Sequence, residues 1–405
     1  MEKSTLNSKN YINAFLLVGV IFAQNPPWFI WGIHYYILIL IISSLFVVNI
    51  NRIVNQPNLY VKKLFIAVIV FFIFFVRSLF ETPRMSSFVT VFFFILIFVV
   101  NRKEKILALN MLTKTLSLII LISLSGWLIH TFLFELPIYN TLTYSEGKGA
   151  REGTFLNNYI IFIQLPFRSV IRFYSIFDEP GVLGTLSAFV LFANKYDFKN
   201  KSNIIILIGG IFTFSLAFII ISLVGYIILN VSKGFKLWKY ILTLCIISFV
   251  VFLVLKDNET FQIAVIDRLQ DFDSSGVESR TSDYMNTYFK GFILSNDAFF
   301  GMGTSFLNEQ RSLFQGQGYK FFLIEYGIIG FILVLLMYYS ISRKYPKKGY
   351  LLLFIYILSF LQRPFLFMPW QIALFSMSIA NLEFLDKRLL RKSDKLKIQN
   401  GGKKT

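Results

Sequence analysis

Apolar runs close to the length of a membrane-spanning helix recur from one end of this chain to the other, separated by short loops rich in lysine. Nothing else in the sequence restricts the fold as severely. Within hydrocarbon every backbone N–H and C=O has to be satisfied inside the segment or in a closed barrel, so repeated runs of about 20 apolar residues dictate helices. Charged residues are 15% of the 405, well below the roughly 25% of soluble domains. The sequence therefore predicts an all-α polytopic integral membrane protein, with residues 1–405 forming a single transmembrane domain. The 48 phenylalanines supply lipid-facing and interhelical bulk and carry no binding code.

A net charge of +18 would ordinarily suggest nucleic acid, but its placement argues against that. Most lysines sit in short loops that alternate with apolar runs, as cytoplasmic loops do. The stretch 387–405 reads as a basic cytoplasmic tail without regular structure, lying beside anionic headgroups. Cys245, the single cysteine, lies inside an apolar run and forms no intrachain disulfide. With only His34 and His130 present, no metal-ligand spacing occurs, and no G-x-x-x-x-G-K-[ST] phosphate loop is found. The sequence thus implies neither a metal nor a cofactor. No small-residue cleavage site follows the first apolar run, which is expected to remain as an anchor.

Lysine placement sets an order of crossings. Runs at 11–24 and 28–48 flank Asn25-Pro26-Pro27, and runs at 64–80 and 86–100 flank Glu81-Thr82-Pro83-Arg84. Residues 106–134 hold a short amphipathic lead-in and a fifth span, and a sixth span ends near Ala193. The run 203–231 is long for one helix, yet basic clusters flank both of its ends. Equal sidedness requires an even number of crossings, so two short helices folded as a hairpin near residues 213–215 are predicted. Runs at 240–255, 319–341, 349–363 and 367–384 complete twelve spans with both termini inside. Two segments are then long and outer, 135–176 and 256–318.

On that map the outer face holds Arg77, Arg84, Arg151, Arg168, Arg172, Arg268, Arg280, Arg311 and Arg363, nine of fourteen arginines, but four of twenty-six lysines. Topogenesis explains inner lysines and not outer arginines. A guanidinium grips phosphate or carboxylate through two parallel hydrogen bonds, so the excess suggests an anionic ligand. The alternative is that these arginines neutralise outer acids such as Asp178, Glu179, Asp267, Asp271 and Asp273. The densest such stretch is 168–184, R-S-V-I-R-F-Y-S-I-F-D-E-P-G-V-L-G, directly before the sixth span. Charges at the mouth of a membrane helix usually serve a cavity or a substrate.

These features resemble the oligosaccharide repeat-unit polymerases (Wzy type) and their relatives, the O-antigen ligases. F-D-E-P-G-x-x-G at 177–184 is similar to the first-loop motif of the polymerases. Ser279-Arg280, followed by Gly291 and Gly301-Met302-Gly303, is similar to the second-loop pattern, and Glu325-Tyr326-Gly327-Ile328-Ile329-Gly330 to the E-x-G-I-I-G that opens the next span. The His-Asn pair usual in ligases is replaced by Gly316-Gln317. The resemblance implies a GT-C-like membrane glycosyltransferase architecture and transfer of a glycan from a polyprenyl-diphosphate carrier to the hydroxyl of a carrier-linked repeat unit. It implies a bilayer, the carrier-linked oligosaccharide and a chain-length regulator protein as partners, and no nucleic acid.

Such a reaction needs its diphosphate leaving group stabilised, its acceptor aligned and a proton removed. The resemblance assigns Arg172 and Arg280 to the diphosphate, with Arg168 and Arg311 as supporting contacts. Glu179 is the first candidate for the base, and Asp178, Asp283 and Glu325 stand behind it. Asp178 also stands where it would N-cap the sixth span, with Pro180 in the first turn. Gly181 and Gly184 are expected to permit a close helix approach. His130 is expected to pack or to bond a neighbour. Two other functions remain open from the sequence: a ligase using another acceptor, and a repeat-unit flippase, although no internal repeat across two halves is found.

Overall fold

The computed structural model describes residues 8–55, 85–143, 155–166, 172–230, 282–310, 313–314, 318–343, 346–363 and 365–401. Its helices are α1 Ser8–Gln24, α2 His34–Asn55, α3 Met85–Val99, α4 Arg102–Phe132, α5 Pro180–Ala193, α6 Lys201–Phe212, α7 Leu216–Asn230, α8 Asp283–Phe292, α9 Asp297–Phe300, α10 Thr304–Glu309, α11 Tyr319–Ser342, α12 Pro346–Gln362 and α13 Pro369–Gly401. The predicted runs 64–80 and 240–255 lie outside the described residues. Every other predicted run is helical, including the two short helices, which part at Thr213–Ser215 as α6 ends and α7 begins. Three of the described helical stretches, Trp28–Asn55, Arg102–Phe132 and Tyr319–Ser342, are long and apolar enough to cross a membrane. Phe88–Val99, Pro180–Ala193, Lys201–Phe212, Leu216–Asn230 and Gly349–Leu361 are apolar and shorter.

The structure departs from the sequence reading in four places. Residues Trp28–Ile33 form a 3₁₀ turn rather than the start of an α-helix. Two prolines precede it, and the Trp28 N–H is donated to the Ile176 carbonyl at 3.1 Å, which ties the turn to the residues just before α5. The amphipathic lead-in and the fifth span are one continuous helix, α4. The described part of 135–176 contains strands, which an all-α fold did not anticipate. Asn140–Thr143 (β1), Phe155–Asn158 (β2) and Ile163–Gln164 (β3) form a small antiparallel sheet, with Thr141 opposite Asn157 and Leu142 opposite Leu156. Lastly, α13 runs on to Gly401, through most of the stretch expected as an irregular tail. No proline or glycine interrupts it between Trp370 and Asn400, and its Lys, Arg and Leu are good helix formers.

Helix α5 is the centre of the bundle, with all of its residues buried and α6, α7 and α13 packed around it. A second group brings α1 against α2, α4 and α13. One end of the bundle is closed by a polar knot. Asn101 and Glu104 form a reciprocal capping box that starts α4. The fully buried Glu104 carboxylate also accepts hydrogen bonds from both terminal nitrogens of Arg52, at 2.8 and 2.9 Å, and from Asn13 Nδ2 at 3.0 Å. Nearby, Arg102 pairs with Glu383 at 3.1 Å, and the Asn194 amide bonds Thr113 and Asn203. The opposite end, where α5 begins and α12 stops, carries the residues singled out by the sequence.

Candidate functional site

Helix α5 starts at a cap with a specific consequence. Pro180 occupies its first position, which needs no N–H and fits the fixed proline φ. The residue before it must then be the extended N-cap, and that is Glu179 (φ −138°, ψ 138°), not Asp178 as the sequence suggested. The Glu179 carboxylate makes no capping hydrogen bond. It faces Arg363 instead, with Oε2 at 2.6 Å from Nη2. Asp178, one residue earlier, is buried.

Arg363 comes from the connection between α12 and α13. That connection folds back into the bundle: Leu366 is fully buried and its carbonyl accepts from the Tyr338 hydroxyl at 2.8 Å. The guanidinium stands 5.6 Å from the centre of the Phe365 ring, within cation–π range. Gly181 makes room for it. A Cβ on Gly181 would lie 2.3 Å from Arg363 Nη2, so the glycine of the P-G turn is the space the guanidinium occupies. Just beyond, the Trp370 indole N–H and the Gln371 side-chain amide are buried without hydrogen-bond partners.

Arg172 stands on the α6–α7 side. It is buried, with Nε donated to the Thr213 carbonyl at 2.9 Å and Nη2 to the Phe214 carbonyl at 3.2 Å. These carbonyls belong to the break between α6 and α7, where Phe214 takes a left-handed φ of 46°. The Phe173 N–H is donated to the Phe212 carbonyl at 3.0 Å in the same place. Helix ends leave carbonyls unsatisfied, and a guanidinium that serves two of them holds the break in one shape. Gly184 lets α5 approach it, since a Cβ there would lie 2.8 Å from Ser215 Cβ and 3.0 Å from Thr213 Oγ1. The glycines at both ends of P-G-x-x-G thus serve close approach, one to an arginine and one to a helix break.

The Gly301-Met302-Gly303 and Glu325–Gly330 motifs pack together. Gly301 and Gly327 both take left-handed φ values, 75° and 69°, and their backbones cross in contact. Met302 N–H reaches the Ile324 carbonyl at 2.6 Å and Gly303 N–H the Glu325 carbonyl at 3.1 Å. Gly327 breaks the helical path of α11. The Glu325 carboxylate accepts from the Thr304 hydroxyl at 2.7 Å, which ties it to α10. Asp283 is exposed in the first turn of α8, behind the N-cap Ser282. Between these, the buried Lys320 Nζ donates to Asn286 Oδ1 at 2.8 Å and lies 5.6 Å over the Phe289 ring.

Aromatic contacts join that unit to the Arg363 connection: Phe322 to Phe360 at 5.3 Å and Tyr326 to Phe367 at 6.1 Å. The structure therefore gathers Glu179, Arg363 and Gly181 at one spot, with Arg172 and Gly184 on the adjoining flank. Arg168, Arg280 and Arg311 lie outside the described residues. His130 packs on Tyr159 and Phe162 and accepts from the Leu136 N–H at 3.0 Å, as expected of a structural histidine.

Arg363 is the residue the sequence reading did not place in the site. A signal existed, because Arg363 is the sole charged residue between 349 and 382. A lone charge amid apolar runs marks a site or a partner. Among the described residues no group of three or more His, Cys, Asp and Glu comes together as a metal-ligand set. Family models, curated proteins and solved structures were all compared with the chain, and none matches it.

Proposed function

We propose that this chain is a metal-independent membrane glycosyltransferase that polymerises a surface polysaccharide. It moves a growing glycan from polyprenyl diphosphate to the terminal hydroxyl of a carrier-linked repeat unit. The observation that carries the reading is the meeting of a carboxylate and an arginine, Glu179 and Arg363, at the start of a buried helix opened by P-G-x-x-G. A leaving diphosphate calls for guanidinium groups, and an acceptor hydroxyl calls for a nearby base; charge-assisted hydrogen bonds contribute about 1.5–3 kcal/mol each. The resemblance of the 177–184, 301–303 and 325–330 motifs to those of the repeat-unit polymerases adds support, as does the packing of the last two into one unit.

In this reading twelve helices cross the bacterial cytoplasmic membrane, both termini are cytoplasmic, and the site faces outward. Arg280 belongs to the diphosphate site with Arg168 and Arg311 beside it, and Arg172 supports that site through the α6–α7 break it holds; Asp178, Asp283 and Glu325 contribute acids near the acceptor. A chain-length regulator protein is the expected partner. The test is polymerisation of purified carrier-linked repeat unit by the detergent-solubilised protein, together with surface polysaccharide from a deletion strain. A ladder in vitro, and its loss in the strain with one repeat unit retained, is the expected result. Loss of all decoration with no ladder in vitro would favour a ligase or a flippase and overturn the polymerase.

A further inference from the structure

Glu179 is the N-cap of α5 yet spends its carboxylate on no cap, and Arg363 reaches it from the other end of the sequence. Two features of this pair set it apart from a structural salt bridge. First, it is lopsided: the Arg363 side chain is 12% exposed and that of Glu179 is 37% exposed. The cation is fixed, by the space left at Gly181, by the Phe365 ring and by a main-chain N–H of Arg363 donated to the Ser359 carbonyl at 3.0 Å. The anion is the more exposed partner, although its Oε2 is buried against the guanidinium. Second, the helix needs nothing from the carboxylate, so its departure leaves the fold as it was. Compare Glu104, whose carboxylate closes a capping box and binds Arg52 and Asn13 at once. That is what a structural acid looks like in this protein.

We infer that Arg363 exchanges partners during turnover: it holds Glu179 in the resting protein and the donor's diphosphate in the loaded one, so that donor binding frees Glu179 to act as base. This rests on the polymerase reading and names the order of events within it. A diphosphate carries more negative charge than a carboxylate and offers oxygens spaced for the guanidinium fork, so it displaces Glu179 from Arg363. The released carboxylate, one residue from the P-G turn, accepts the proton of the acceptor hydroxyl. That oxygen bonds the anomeric carbon of the donor glycan, the bond to the diphosphate oxygen breaks, and the electron pair leaves with polyprenyl diphosphate. Once the product leaves, Glu179 loses its proton to water and closes again on Arg363. The consequence is economy of error: without donor the base is neutralised by Arg363 and activates neither water nor acceptor.

Exchange predicts a sign opposite to that of a carboxylate that only orients the guanidinium. If Glu179 competes with diphosphate for Arg363, its removal strengthens donor binding. Purified Glu179→Gln in detergent should bind polyprenyl diphosphate about 3–10-fold more tightly than wild type while forming no polymer, and Arg363→Gln should bind it at least about tenfold more weakly. Glu179→Ala carries the same prediction if the Gln variant is not recovered folded, and thermal unfolding of each variant confirms that the bundle is intact. Unchanged or weaker diphosphate binding in both Glu179 variants overturns the exchange, leaving the polymerase reading in place. Wild-type protein that unfolds normally and binds no polyprenyl diphosphate removes that reading, and the exchange with it.

Discussion

Gly301 and Gly327 cross so closely that neither position can carry a side chain: a Cβ on Gly327 would lie 2.5 Å from the Gly301 nitrogen, and one on Gly301 2.6 Å from the Gly327 nitrogen. The crossing joins the stretch Phe299–Gly303 to the kinked start of α11, and through Tyr326 and Phe367 to the connection that carries Arg363.

Replacing one of these glycines should therefore be expensive in a way that a neighbouring glycine is not. Gly327→Ala forces alanine into a φ of 69° and into contact with the Phe299 carbonyl, 2.4 Å away. Backbone strain alone is about 1–3 kcal/mol, and the overlap adds to it. Gly318→Ala meets only the Leu361 carbonyl at an ordinary 3.8 Å. Thermal unfolding in detergent should drop several degrees for the first and stay at the wild-type value for the second. Equal stability of the two would show that the crossing does not hold the segment.

Arg172 is expected to work through the helix break it stabilises. Arg172→Lys keeps the charge but reaches one carbonyl rather than both Thr213 and Phe214, so about 1–2 kcal/mol of stability is lost. Polymer formation should fall steeply, while binding of polyprenyl diphosphate by the folded fraction changes by less than about twofold. A large loss of diphosphate binding at unchanged stability would place Arg172 on the substrate itself.

Glu104 should matter to stability and to nothing else. Glu104→Gln leaves Arg52 without its charge partner and weakens the capping box of α4, for a loss of about 3 kcal/mol. At temperatures where the variant is folded, its rate of polymerisation should equal that of wild type. A folded but inactive variant would mean that the polar knot communicates with the site at the other end of the bundle.

Sidedness follows from the alternation of lysine loops. In a Cys245→Ala background, a cysteine at Ser274 should react with an impermeant thiol reagent in spheroplasts and one at Lys199 should not. Labelling of both, or of neither, would require a different order of crossings.

Much of the fold was legible because membrane helices are dictated by local composition. The boundaries of α1 and α11 and the break between α6 and α7 could be read from apolar length, prolines and loop charge, since a segment in hydrocarbon must satisfy its own backbone. The sheet Asn140–Thr143 with its partners was missed because strands of two to four residues give no periodic signal. At the site, the P-G-x-x-G turn announced where a helix begins and that something approaches it closely. The sequence by itself could not say what approaches, because Glu179 and Arg363 are far apart along the chain and any of nine outer arginines satisfied the same charge argument. Of the two among them that lie in described residues, Arg172 and Arg363, tertiary structure brings Arg363 to Glu179: the inward fold of the α12–α13 connection carries its guanidinium to the space that Gly181 leaves beside α5.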